Sequence, residues 1–160
     1  MIAVTMEQQA VKGFMNRLIR EDVLDAFEAR ACELALSTRI SINGALEAPP
    51  VAEGEDETRP QNLGHIAWED LRPLIFAIIK TGAKPKMIKI VFSYKAAQAK
   101  NIHANAAALF LNMVYENDAV TFTTATAQRE FALDKSLDDT WDEWVRGFFV
   151  QNGIVVADRE

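Results

Sequence analysis

Apolar residues recur along this chain with two different periods. Val11, Phe14, Met15, Leu18 and Ile19 fall at i, i+3, i+4, i+7 and i+8, one stripe of a helix. Lys12, Asn16, Arg17 and Arg20 take the other face. "MIAVT" before it predicts a short strand, and Thr5 with Gln8 three residues on has the form of a capping box. Residues 27–36 and 39–46 predict two strands, with alternation clearest at Ile40 and Ile42 and a turn near Ser37 and Thr38. Asn43-Gly44 is a weaker turn signal that would end the second strand early.

"WEDLRPLIFAIIKTG" is helix by its punctuation: acids at the start, a lysine near the end, Gly82 just past it. Pro73 is tolerated only near a first turn, so the regular helix is expected from about Asp70. Apolar residues cover almost its whole circumference, which predicts the most buried helix of the protein. "KMIKIVFSY" follows as a strand with Ile88, Ile90, Phe92 and Tyr94 on one face. The Ala-rich stretch 95–106 predicts a short helix. "ALFLNMVYENDAVTFTTATAQREFAL" predicts two long strands turning tightly at Glu116-Asn117-Asp118, and a last helix and the strand "GIVVAD" complete the chain.

The resulting order is β-α-β-β-α-β-(α)-β-β-α-β, an α+β fold with about three helices on a mainly antiparallel sheet. A possible internal duplication shows in it. A hairpin, "WEDL…KTG" and a strand are echoed by a hairpin, "WDEW…QNG" and a strand. Residues 47–62, with three prolines and five acids and no periodicity, predict a mobile acidic insertion within one domain spanning 1–160.

Composition narrows the class. Apolar residues at 49% with 25% charged describe a globular chain. The longest apolar run, residues 74–79, falls far short of the roughly 18 residues of a membrane span. The opening lacks the basic-then-apolar form of a signal peptide, so the cytoplasm is the expected location. A single cysteine, Cys32, excludes an intrachain disulfide and a multi-cysteine zinc site. The net charge of −6 is unevenly spread: residues 67–106 carry seven basic and two acidic groups, residues 107–160 four and ten. No acid occurs from Leu71 to Tyr115.

Three clusters are candidates for chemistry. "SLDDTWDEW", residues 136–144, packs four carboxylates beside two tryptophans. Ser136 as N-cap with Asp139 in capping-box register makes this an ordinary helix start, where the dipole favours acids. The apolar stripe through Leu137, Trp141, Trp144, Val145 and Phe148 then turns the carboxylates outward. His65 and Glu69 have i, i+4 spacing with Asp70 adjacent, a weak candidate metal pair without an identifiable third ligand. The acid-free window holds Lys84, Lys86, Lys89, Lys95 and Lys100, which with Lys12, Arg17 and Arg20 are candidate phosphate contacts for a nucleic acid. The plainer alternatives are lysines guarding a sheet edge, or a basic surface docking on an acidic one. Cys32, mid-strand, reads as a buried inert thiol. No P-loop, G-x-G-x-x-G, G-x-S-x-G or H-E-x-x-H motif occurs, so neither catalytic residues nor a cofactor site is assigned.

On "WEDLRPLIFAIIKTG", "LFLNMVYENDAVTF" and "FALDKSLDDTWDEW" the chain resembles a family of short cytosolic bacterial proteins grouped only as a domain of unknown function. That resemblance brings no activity and no functional residues. A looser similarity is to DNA sliding clamps: "MIAVTMEQQAVKGFMNRL" looks like a clamp's opening strand and helix, and residues 86–132 repeat a strand–helix–hairpin order. It implies fold-level likeness alone. Taken together, the sequence leans away from an enzyme and towards an interaction or regulatory module with a protein partner or self-association. A clamp-like nucleic-acid binder and a metal-dependent or small-molecule enzyme are the alternatives.

Overall fold

Alternation on the strands decides the architecture. The structure, a computed structural model, describes residues 1–47, 63–81 and 84–159. The chain runs β1 (Ala3–Met6), α1 (Gln8–Arg20), β2 (Phe27–Ala35), β3 (Arg39–Asn43), α2 (Trp68–Ile79), β4 (Met87–Tyr94), α3 (Ala96–Ile102), β5 (Ala106–Glu116), β6 (Ala119–Gln128), α4 (Ser136–Gln151) and β7 (Val156–Asp158). All seven strands join one antiparallel sheet in the order β3-β2-β4-β5-β6-β1-β7. The fold is α+β, with four helices rather than about three.

Cross-strand register places Ile42, Cys32, Ile90, Met113, Phe122 and Val4 in one row across six strands. One residue along, Ser41, Glu33, Lys89, Val114, Thr121 and Thr5 form a row on the other face. Because side chains alternate along a strand, the first row is core and the second, more polar row faces outward. Three helices pack on the core face: α1 through Phe14 on Phe122 (5.7 Å between ring centres), α2 through Trp68 on Phe92 (5.2 Å), α4 through Trp141 on Phe27 (6.4 Å).

Two backbone details fix the sheet. The β5–β6 turn places Asn117 and Asp118 at φ 55° and 59°, the left-handed pair that a two-residue type I′ hairpin requires. At the other end, β2 bulges between Ala29 and Ala31, and Gly44 closes on it with its N–H donating to the Arg30 carbonyl at 2.9 Å. A Cβ at Gly44 would stand 1.8 Å from the Ala29 carbonyl oxygen, so only glycine fits. Leu46 N–H then donates to Gly64 at 2.9 Å, and Ala45 bridges His65. The expected insertion 47–62 lies almost wholly outside the described residues, as does the Gly82 helix stop.

Several local expectations are corrected. α2 begins at Trp68, two residues earlier than the proline rule suggested, and Pro73 sits inside it. Pro73 and Glu69, whose carbonyl loses its partner, are both exposed, so the lost helical hydrogen bond falls on the solvent side and not in the core. α2 is not the most buried helix: it buries Trp68, Leu71 and Ile75, against Leu137, Trp141, Val145, Phe148 and Phe149 on α4. The second strand ends at Asn43, as its turn signal allowed. Neither expected cap forms: Thr5 belongs to β1, and Ser136 is itself held by Asp134, whose Oδ1 accepts from its N–H and Oγ at 3.0 and 2.5 Å.

The four carboxylates of α4 do not all turn outward. Asp139 and Glu143 are exposed, but Asp142 accepts from Thr124 Oγ1 at 2.5 Å and Asp138 accepts from Thr126. Both threonines lie on the core side of β6, where α4 crosses it, so the carboxylates satisfy hydroxyls rather than solvent. Trp68 and Trp141 are both fully buried and both donate to a backbone carbonyl, but Trp68 is the first residue of α2 and Trp141 the sixth of α4. Strand connection differs between the halves: β4 lies beside β2, whereas β7 lies beside β1 and not β5.

Candidate functional site

The stripe on α1 is wider than the core beneath it. Val11, Phe14 and Leu18 are buried, and Met15 and Ile19 lie on the flank that meets α2. α2 is fixed against α1 at its start. The Trp68 indole N–H donates to the Leu18 carbonyl at 3.3 Å. One turn on, Arg72 grips Asp25 in the loop after α1 with two bonds, 3.1 and 2.7 Å, the fork geometry that suits guanidinium and carboxylate. Beyond that clamp the two helices leave a groove of about 700 Å³ floored by Met15, Ile19, Phe76, Ile79 and Ile88. It continues along α1 into a second hollow of about 480 Å³ that shares Lys12, Met15 and Tyr115 and adds Lys84 and Asp118. Volumes of this size suit a ligand or a partner's side chains.

Charge on this groove has one sign. Lys12, Asn16 and Arg20, at i, i+4 and i+8, form a polar row along its α1 rim. The Arg20 guanidinium stands 5.0 Å from the centre of the Phe76 ring, and the Lys80 ammonium 5.6 Å from it. Two cations on one aromatic face or edge are tolerated because the ring quadrupole attracts each. At the other end Lys84 pairs with Asp118, and Tyr115 Oη donates to the same carboxylate at 3.3 Å. The hydrogen bond to Asp118 raises the Lys84 pKa, and that from Lys84 lowers the Asp118 pKa. Among the described residues lining the two hollows, Asp118 is the only carboxylate, and Lys84 neutralises it.

That arrangement does not activate Lys84 for chemistry. A lysine used as nucleophile or base needs its pKa lowered by burial, and Lys84 is shifted upwards. A serine, a histidine and an aspartate do meet elsewhere, at the start of α4, but in an order that cannot activate the serine. His103 Nδ1 accepts the Asn105 N–H at 3.0 Å, so in the neutral ring the proton sits on Nε2, which donates to Ser136 Oγ at 3.0 Å. The serine proton goes to Asp134, not to the imidazole. A hydrolase needs the reverse polarity.

The sequence candidates separate in space. His65 lies in the extended segment before α2 and is half-buried, while Glu69 and Asp70 are exposed on the helix, so the pair loses its helical spacing. Desolvation by burial, with the nearby Arg30 charge, lowers the His65 pKa. No group of three metal-ligating side chains converges among the described residues. Of the eight nucleic-acid candidates, Lys12, Arg20 and Lys84 reach the groove and Lys86 stands beside Lys84 in the adjoining hollow. Arg17 does not line it. Lys89 projects from the outward sheet face, cross-strand from Glu33. Lys95 and Lys100 lie past the far end of β4, whose eight residues span about 23 Å. Cys32 is buried, and desolvation pushes its thiol up to about 12. The sequence reading missed Phe76, Ile79 and Tyr115. The available signal was α2 itself, apolar around more of its circumference than one buried face can use.

A seven-stranded antiparallel sheet with helices on its core face and a basic-rimmed groove between the first two defines an α+β protein. The chain belongs to a family of unknown function, DUF5721, whose model matches residues 17–157. That span includes Arg20, Phe76, Lys84 and Tyr115 and leaves out Lys12 and Met15. No curated protein and no solved structure matches the chain. Among the described residues no helix is long and apolar enough to cross a membrane.

Proposed function

We propose that this chain is a non-enzymatic interaction module whose working surface is the groove between α1 and α2, and whose protein partner is both acidic and apolar. One observation carries the reading: an apolar floor bordered by Lys12, Arg20 and Lys80, with Asp118, the only carboxylate among the described lining residues, already paired. A concave, partly exposed apolar floor rimmed by one sign of charge is the form of a docking site. The upward shift of Lys84 and the inactive polarity at Ser136 favour binding over catalysis.

The test is comparative capture by the full-length chain. Met15→Asp places a charge on the groove floor at a half-buried position, and Lys100→Glu changes charge at a remote exposed site. Partners held by the wild type and by Lys100→Glu, but lost by Met15→Asp, are the expected result. Equal capture by all three overturns the groove reading. Sedimentation at low and high salt separates self-association from a foreign partner. Tight, steeply salt-dependent binding of an oligonucleotide that needs Lys12 and Arg20 would replace this reading by the nucleic-acid one.

A further inference from the structure

The groove's cations are not spread evenly; they form two poles. At one end stand Lys12 and Lys84, the latter holding Asp118, which leaves one net positive charge. At the other, Arg20 and Lys80 flank the Phe76 ring, and no carboxylate is among the described residues lining that end. Lys12 and Arg20 are eight residues apart on one helix, so the poles lie about 12 Å apart along α1. Between them the floor is apolar: Met15, Ile19, Ile79 and Ile88.

We infer that the groove is shaped for an acidic amphipathic helix of a partner protein, carrying carboxylates about two turns apart, at i and i+7 or i+8, with large apolar residues at i+3 and i+4. This deepens the binding reading above and rests on it. A ligand with a single anionic head would use one pole and leave the other idle. A polynucleotide would meet phosphates with the poles but bring a charged backbone across the apolar floor. A helix matches both features, because its own rise puts side chains two turns apart at the spacing of the poles, and its i+3 and i+4 positions face the same way as i and i+7.

The probes are two synthetic helical peptides of identical composition, each with the apolar pair on one face. One carries Glu at i and i+7. The other carries both Glu residues on the opposite face. Fluorescence anisotropy against the full-length chain should show the first binding at least about tenfold tighter at low salt. The preference should collapse in the Lys12→Glu, Arg20→Glu double variant, whose changes are on exposed side chains, and persist in Lys100→Glu. Equal affinity for the two peptides, with both lost in Met15→Asp, overturns the spacing but leaves the groove as a binding site. Binding that Met15→Asp leaves intact overturns both. Displacement of the first peptide by a single-stranded oligonucleotide or by dodecanoate at lower concentration than by the unlabelled peptide overturns the helix as occupant.

Discussion

The indole N–H of Trp141 donates to the carbonyl oxygen of Phe110 at 2.9 Å, tying α4 to the backbone of β5. The ring itself is fully buried against Phe27, Tyr94 and Trp144. Trp141→Ala removes that volume and the bond together, and should cost about 3–5 kcal/mol in urea unfolding, a large share of a domain's stability. A loss under about 1 kcal/mol would mean that α4 does not pack on the sheet this way.

Asp142 offers a sharper contrast. Thr124, which is buried, donates its hydroxyl to Asp142 and accepts the Ile2 N–H at 2.9 Å. Asp142→Asn keeps an acceptor for that hydroxyl and should change stability by less than about 1 kcal/mol. Asp142→Ala strands the hydroxyl and should cost about 1–3 kcal/mol. Asp139→Asn, on the exposed side of the same helix, should be nearly silent. Equal costs for Asp142→Ala and Asp139→Ala in chemical denaturation would refute the inward placement.

Gly44→Ala tests the bulge. The new methyl would meet the Ala29 carbonyl oxygen at 1.8 Å, a backbone atom that cannot swing aside. The expected loss is about 3 kcal/mol, the upper end for overpacking, with amide exchange accelerated in β2 and β3. Gly13→Ala, on α1 with open space around it, should instead stabilise by some tenths of a kcal/mol up to about 1 kcal/mol.

Cys32 sets a pH dependence. Burial raises its pKa from 9.0 to about 12, so the unfolded thiol ionises first and the folded one stays protonated. Above about pH 9 the unfolded state therefore binds fewer protons than the native state, and stability falls as pH rises towards 12. Cys32→Ala should flatten that part of the pH profile. At pH 8 the native thiol should resist a disulfide reagent and react once denaturant is added. Rapid labelling of the native protein would contradict its burial.

Much of this fold is legible because β4, β5 and β6 alternate cleanly. Ile88, Ile90 and Phe92 meet Tyr115, Met113 and Leu111 in register, and the I′ turn at Asn117-Asp118 fixes that register locally. Sequence rules failed where a single position has two solutions. Pro73 reads as a boundary, yet an exposed second turn tolerates it. Asp138 and Asp142 read as solvent-facing because helical periodicity gives their angle around α4 but not which hydroxyls β6 places beneath it. The groove was hidden for the same reason. Phe76 and Ile79 look like core on a helical wheel, and only the placement of α1 shows that they face a gap.

Leu46 and Gly64 are joined by one backbone hydrogen bond, with Ala45 and His65 bridged beside it, so the chain leaves the sheet and re-enters it at the same point. The doorway is closed independently of what passes through it. A segment inserted between Leu46 and Gly64 leaves both ends of that join in place. The protein thus carries a ready-made splice port, where a reporter domain can be grafted while the sheet and the α1–α2 groove stay in place.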